Sequence, residues 1–199
     1  MINPLPQTIE NRRSMDSLTN VALIHDEEIL GLIEHAVKYA PTPINSQSAR
    51  LIILFDKEHN ALWDIVREGL RKKLSSERFP KTNEKINTFY NGYATVMFFE
   101  DMETVHNLED NYPSYKENFD SWSFQASGML QYAIWVSLEA VGFGASLQHY
   151  SEVIEDAVQK KWDIPKTWRF ISQMPFGKPT APPKEKTFLP LSDRIKVFK

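Results

Sequence analysis

Apolar residues recur at helical spacing from Asp26 to Ala40, where Ile29, Leu32, Ile33, Ala36 and Val37 fall on one face of a 3.6-residue period. Asp26, Glu27 and Glu28 crowd the start of that segment, which suits a helix N-terminus, and Pro41 and Pro43 stop it. The run RLIILF (50–55) predicts a buried strand, as does ATVMFF (94–99). Asn60–Leu74 is a second amphipathic helix, and Ser151–Trp162, opening on Ser151 as a cap with Pro165 shortly after it, is another. A short helix is expected over 7–15, with Thr8 as its N-cap, carrying Arg12 and Arg13. Residues 101–115 are polar and read as a mobile excursion ending near Pro113. Asn118–Val141 is apolar around most of its circumference from Ala126 onward, and a helix with no solvated face belongs in an interior, here a central one covered further by a partner subunit. Gly142 and Gly144 end it, Ala145–Leu147 follows as a short strand, and Arg169–Met174 is a longer one. The tail from Phe176 is rich in proline and lysine and closes on RIKVF (194–198), an apolar tip that predicts a docked end. This order of elements predicts an α+β or mixed α/β protein in which helices cover a sheet.

The length of 199 residues fits one domain over 1–199, long enough to bury a core. A net charge of −3 gives no electrostatic footprint for nucleic acid or an anionic membrane as partner. The absence of cysteine removes disulfides, thiolate metal sites and a cysteine nucleophile together. Residues 1–20 lack the apolar core of a signal peptide, and the longest apolar stretch, Met129–Leu147, is broken by Gln131, Ser137, Glu139 and two glycines. A cytoplasmic protein is the expectation.

Most self-sufficient catalytic chemistries fail on the residues. Gly142-Phe143-Gly144-Ala145-Ser146-Leu147 lacks the third glycine of a dinucleotide fingerprint and follows a helix rather than a strand. There is no phosphate-binding Walker loop and no GxSxG elbow. The histidines at 25, 35, 59, 106 and 149 have no ligand-spaced partners, so no metal is expected. An organic cofactor would account for an enzyme with so few catalytic side chains.

Three segments carry candidate chemistry. Arg12 and Arg13 with Ser14, near a helix end, can grip a phosphate through bidentate guanidinium forks; the ordinary reading is a solvated basic turn. The loop Ala40–Ser48 is stiffened by Pro41 and Pro43 and then presents Asn45, Ser46 and Gln47, whose donors and acceptors suit a heterocycle edge or a polyol; the ordinary reading is a helix–strand connection. In Gly142–Tyr150 the glycines allow close backbone approach to a flat ligand, with Leu147, Gln148 and His149 after them; the ordinary reading is a helix C-cap followed by a strand.

Taken together and in this order, the RRS segment, the APTPINSQ loop, GFGASLQHY and the later FGKP (176–179) resemble the nitroreductase family, in particular its short branch from bacteria and fungi. The resemblance implies an α+β fold with a central mixed or antiparallel sheet flanked by helices, a homodimer whose C-terminal tails wrap the partner, and FMN at the subunit interface. It implies that Arg12, Arg13 and Ser14 hold the phosphate and ribityl end. Pro43, Asn45, Ser46 and Gln47 would reach the flavin from the other subunit, and Leu147, Gln148 and His149 would lie along the ring. Lys184 and Lys186 would bring positive charge from the C-terminal region, with Lys178 competing for that role. The implied reaction passes a hydride from NADH or NADPH through flavin N5 to a nitroaromatic or quinone, without a catalytic side chain.

One departure stands out: Asp16 occupies a position that is basic in many relatives. It leaves room for a second reading, a flavin-binding sensing or regulatory protein with little turnover, and a third, a dimeric interaction domain without cofactor. Tyr112, Tyr115, Phe119 and Trp122, within residues 101–123, either cover the pocket and select the acceptor or simply pack.

Overall fold

The computed structural model describes residues 4–199. Along the chain run α1 (Leu5–Asn11), β1 (Leu18–Thr19), α2 (Asp26–Tyr39), β2 (Ala49–Phe55), α3 (Asp56–Lys73), α4 (Phe79–Tyr90) and β3 (Ala94–Asp101). Then follow α5 (Met102–Asn111), α6 (Lys116–Ala140), β4 (Gly144–Ala145), α7 (Ser151–Lys161) and β5 (Trp168–Pro179). The strands form one antiparallel sheet in the order β1-β5-β3-β2, with β4 beside β5. The architecture is α+β.

Strand β3 is buried at every residue, and its side chains alternate between two cores. Ala94, Val96 and Phe98 face Ile29 and Ile33 of α2 and Leu130, Ile134 and Leu138 of α6. Met97 and Phe99 join Leu62, Trp63 and Val66 of α3, Phe89 of α4 and Val158 of α7 on the other side. The result is three layers, helices on both faces of the sheet. A strand covered on both faces must be apolar at consecutive positions, which is why ATVMFF stands out in the sequence.

Several expectations are corrected. Thr8 does not cap a helix: Pro4 holds the N-cap position of α1, and Thr8 lies buried in the second turn. Helix α1 stops at Asn11, so both arginines lie beyond its end. Helix α3 starts at Asp56, directly after β2. Residues 102–111 form α5 rather than a mobile excursion, started by Asp101, whose carboxylate accepts from the Glu103 amide at 3.2 Å. The tip of the tail forms no strand; Ile195, Val197 and Phe198 are 58, 72 and 90% exposed.

Beneath β3 a buried polar chain organises the α3 side. The Trp63 indole N–H donates to the Thr95 hydroxyl at 3.1 Å, and Thr95 lies 2.8 Å from His59 Nδ1. His59 Nε2 is 3.1 Å from the Tyr90 carbonyl, so Nε2 carries the proton and Nδ1 accepts from Thr95. Burial pushes the imidazole down to about 4, keeping it neutral. Because that value lies below the unfolded one, the contribution is present above pH 6.5 and is lost as pH falls toward 4. Thr95→Val strands a buried indole N–H and an imidazole nitrogen, and should lower stability by about 2–4 kcal/mol in urea denaturation; a change below about 0.5 kcal/mol would contradict the network.

Candidate functional site

Past α1 the backbone opens at Arg12 (φ −57°, ψ 112°) and runs alongside β4. Ser14 forms a parallel bridge with Ala145, and the Met15 N–H donates to the Ala145 carbonyl at 2.9 Å. Two sequence-distant segments, Arg12–Ser14 and Gly142–His149, thereby become neighbours. Gly144 permits this: a Cβ there would sit 2.8 Å from Met15 Cβ and 2.8 Å from Pro179 Cγ.

Arg12 folds back onto α6, its guanidinium carbon 4.4 Å over the Trp135 ring and 6.0 Å from that of Tyr132. Arg12 Nε is buried and has no hydrogen-bond partner among the described residues. A buried guanidinium N–H left unmatched is costly, and its planar geometry suits a phosphate oxygen. Arg13 donates Nη2 to the Lys184 carbonyl, which draws the tail across this end of the molecule. There Lys184 Nζ lies 3.8 Å from the Asp16 carboxylate, with the lysine almost fully exposed, a weak pair. A cavity of about 160 Å³ is bounded by Arg13, Met15, Trp135, Glu139, Gly144 and Pro183. Burial pushes the Glu139 carboxyl above its ordinary value, against a hydrogen bond from Asn11.

The Leu147–His149 stretch has divided duties. Leu147 is half-buried against the α2–α6 core. Gln148 is locked to Gln173 by backbone bonds of 2.8 and 3.0 Å, and its carboxamide donates to Ser146 Oγ at 3.1 Å. Its polar groups therefore serve the fold, while the Leu147 and His149 amides take no part in backbone pairing among the described residues. His149 is exposed. Burial, together with the Asp16 charge, pushes the Tyr150 phenol up.

The loop after α2 is held in unusual backbone geometry. Ile44, Asn45 and Gln47 have φ of 51°, 53° and 50°. For a β-branched residue such as Ile44 that is a genuine outlier. The Gln47 N–H donates to Thr42 Oγ1 at 3.1 Å, and Ser46 Oγ lies 3.5 Å from Ser48 Oγ. Pro43 opens the 3-10 turn. Asn45 and Gln47 border a cavity of about 490 Å³ with Val37 and Ile53 and with Ala126 and Leu130 of α6.

Within one chain, then, the first and third segments meet and the loop stands apart. Ala126 and Trp135 are separated along α6 by about 13 Å and by about half a turn, given 1.5 Å and 100° per residue. Of the three candidate lysines, Lys184 is the one engaged at Arg13 and Asp16. Lys186 stacks on Phe188 at 5.2 Å, and Lys178 lies exposed on β5 opposite Thr19. Phe119 is buried edge-on to Trp122 at 5.3 Å and packs; Tyr112 and Tyr115 are 40 and 51% exposed. Tyr112 borders an open groove with Ile44, Asn45, Ser46, Asn107 and Asn111. Sequence reading missed Trp135, the platform for Arg12, because an aromatic residue in an apolar helix carries no mark of that role.

The nitroreductase family model matches residues 9–178. The chain belongs to the nitroreductase family. The Saccharomyces cerevisiae protein named as nitroreductase HBN1 is 33% identical over 171 residues, spanning 86% of this chain and 83% of its own. The nitroreductase CinD from Lactococcus lactis, solved in complex with chloramphenicol, superposes with a TM-score of 0.90 at 36% identity, covering 98% of this chain and 100% of its own. A Desulfovibrio desulfuricans nitroreductase-fold protein in complex with FMN shares the fold at a TM-score of 0.70 and 19% identity, with 100% of each chain covered. Among the described residues no helix is long and apolar enough to cross a membrane, and no His, Asp and Glu group could hold a metal ion.

Gly144→Val tests how the site is assembled. The added side chain must push Met15 and Pro179 away, so the protein should lose about 1–3 kcal/mol of stability, and the Met15 amide should lose its hydrogen-exchange protection. Protection equal to the parent chain would show that the β4 contact does not depend on this glycine.

Proposed function

We propose that this nitroreductase is an FMN-dependent NAD(P)H oxidoreductase that reduces nitroaromatic or quinone-type acceptors, working as a cytoplasmic homodimer in which 1–199 is a single FMN-binding domain. The observation that carries the reading is the buried, partnerless Arg12 Nε beside Arg13 and Ser14, a donor set that fits a phosphate. FMN bound to the Desulfovibrio desulfuricans relative, and chloramphenicol bound to CinD, support the cofactor and acceptor class. The chemistry supplied by bound FMN is hydride acceptance at N5 from NADH or NADPH and electron delivery to the acceptor. The chain's own work is to bind and orient. Arg12, Arg13, Ser14 and Lys184 hold the phosphate end, with Lys186 as the further cation of the tail. Leu147, Gln148 and His149 would lie along the ring, offering the amides of Leu147 and His149, which make no backbone pair among the described residues. Cations and N–H dipoles fixed around the site stabilise negative charge there without reorganising.

Pro43, Asn45, Ser46 and Gln47 complete the site from the partner subunit. Two features support a second copy. The outward side of α6 carries Trp122, Met129, Tyr132 and Val136 at helical spacing, and Met129 and Tyr132 are 48 and 41% exposed. Strand β2 is a sheet edge, and the apolar tail residues Leu191, Ile195, Val197 and Phe198 are 66, 58, 72 and 90% exposed. The tail is proposed to wrap the partner.

One observation favours a second reading, a flavin-binding sensor with little turnover. Asp16 places a carboxylate at Lys184, where it competes with a bound anion for positive charge.

The visible spectrum of the purified protein, taken anaerobically before and after NADH or NADPH, separates the readings. A yellow protein that bleaches and then reduces a quinone supports the oxidoreductase; a yellow protein that does not bleach supports the sensor. Arg12→Ala and Arg13→Ala should each weaken FMN binding by about tenfold or more, the value of a charge-assisted hydrogen bond. Unchanged affinity in the double variant would remove the phosphate assignment.

A further inference from the structure

Left-handed backbone at non-glycine residues persists only where the surroundings over-determine it. At Gln47 those surroundings include Arg50 of β2 and, through it, the end of β3. Arg50 of β2 donates Nη1 to the Gln47 carbonyl at 2.7 Å and Nη2 to Asp101 Oδ2 at 2.8 Å. Asp101 is itself fixed: it accepts from the Glu103 amide at 3.2 Å and from the Thr104 hydroxyl at 3.0 Å. Its own N–H donates to the Ser48 carbonyl at 3.0 Å.

Glu100 precedes it and points to the opposite face of the strand. Glu100 and Ser48 are each 1% exposed, and neither Glu100 oxygen makes a hydrogen bond of good geometry. Burial pushes its carboxyl up to about 6, against the pull of the neighbouring Ser48 hydroxyl, Arg169 of β5 and Arg50 of β2, while Asp101 adds to the rise. From α6, Asp120 engages Arg169. The neutral carboxyl has an O–H to offer the Ser48 hydroxyl, and Ser48 Oγ in turn lies 3.5 Å from Ser46 Oγ.

We propose that Glu100 and Asp101 are positioning residues for the Pro43–Gln47 loop: Asp101 through the Arg50 fork, and Glu100 through Ser48, hold its strained backbone in the shape that meets the flavin. The proposal rests on the FMN reading above for its purpose, though not for its geometry. Ionised Glu100 is a buried anion whose burial costs more than the Ser48 hydroxyl and the Arg50 and Arg169 charges return, so its surroundings must shift to solvate it, and Ser48 is the first group to move. The loop is held more firmly below the Glu100 titration than above it.

Glu100→Gln fixes a neutral side chain of the same shape. FMN affinity, read by flavin fluorescence on the full-length protein, is compared for parent and variant at pH 5 and pH 8. The cofactor phosphate titrates in the same range but does so equally in both proteins. The expected result is a parent-to-variant dissociation-constant ratio near one at pH 5 that rises several-fold by pH 8. Arg50→Lys keeps the charge and loses the fork; amide exchange at residues 44–48 should accelerate about tenfold, the loss of one charge-assisted bond. A ratio independent of pH, or unchanged exchange in Arg50→Lys, would overturn the proposal. If the parent chain bound no FMN, the cofactor reading would fall alone. Exchange at 44–48 in the parent and Glu100→Gln proteins would then decide the positioning role, being faster at pH 8 than the intrinsic pH effect only in the parent.

Discussion

Helix α6 is the constraint on which the functional account depends. It is a continuous rod of 25 residues, and it meets Arg12 at Tyr132 and Trp135 while the loop after α2 shares a cavity with Ala126 and Leu130. A straight helix cannot bring those two places together, because rise and rotation per residue are fixed. Within one chain the two arginines therefore lie on one side of α6 and the amide-bearing loop on the other. The proposed dimer would bring both to one ligand, and the same helix turns Met129 and Tyr132 outward, 48 and 41% exposed.

The charges around the arginines follow from the path of the tail. Arg13 binds a tail carbonyl rather than a carboxylate, so its charge is not neutralised. Asp16 draws in Lys184. The exposed geometry makes that pair easily broken. In the proposed site, a cation held by an acid and released to an anion would provide both reversible binding and a way to weaken it.

Legibility in the sequence followed burial. Strand β3 and helices α2 and α7 were plain because a strand covered on both faces, or a helix covered on one, imposes a period on its apolar residues. Helix α4 was missed because Ile86 and Phe89 are its only buried residues, too few to mark a period. Helix α5 was read as an excursion because Val105 alone is buried. Thr8 resembled a cap because capping residues are also tolerated inside a helix, where its hydroxyl bonds back to the Pro4 carbonyl. The three site segments were recognisable as a set, and the structure added which of them meet. The roles of Trp135, Arg50 and Glu100 depend on cross-strand register and helix phase, and no local pattern announces them. Left-handed backbone at Ile44 runs against the residue's own preference, so only its tertiary partners explain it.

The central claim is that each flavin site is built from two chains, and subunit complementation tests it most directly. One variant carries Arg12→Ala with Arg13→Ala; the other carries Asn45→Ala with Gln47→Ala; each alone should bind little FMN. Refolded together, they form mixed dimers in which one site collects both sets of changes and the other collects none. The account predicts that flavin binding returns, at about one FMN per mixed dimer, with parental affinity. No recovery in mixed dimers verified by mass would mean that each site lies within a single chain, and the account would be wrong.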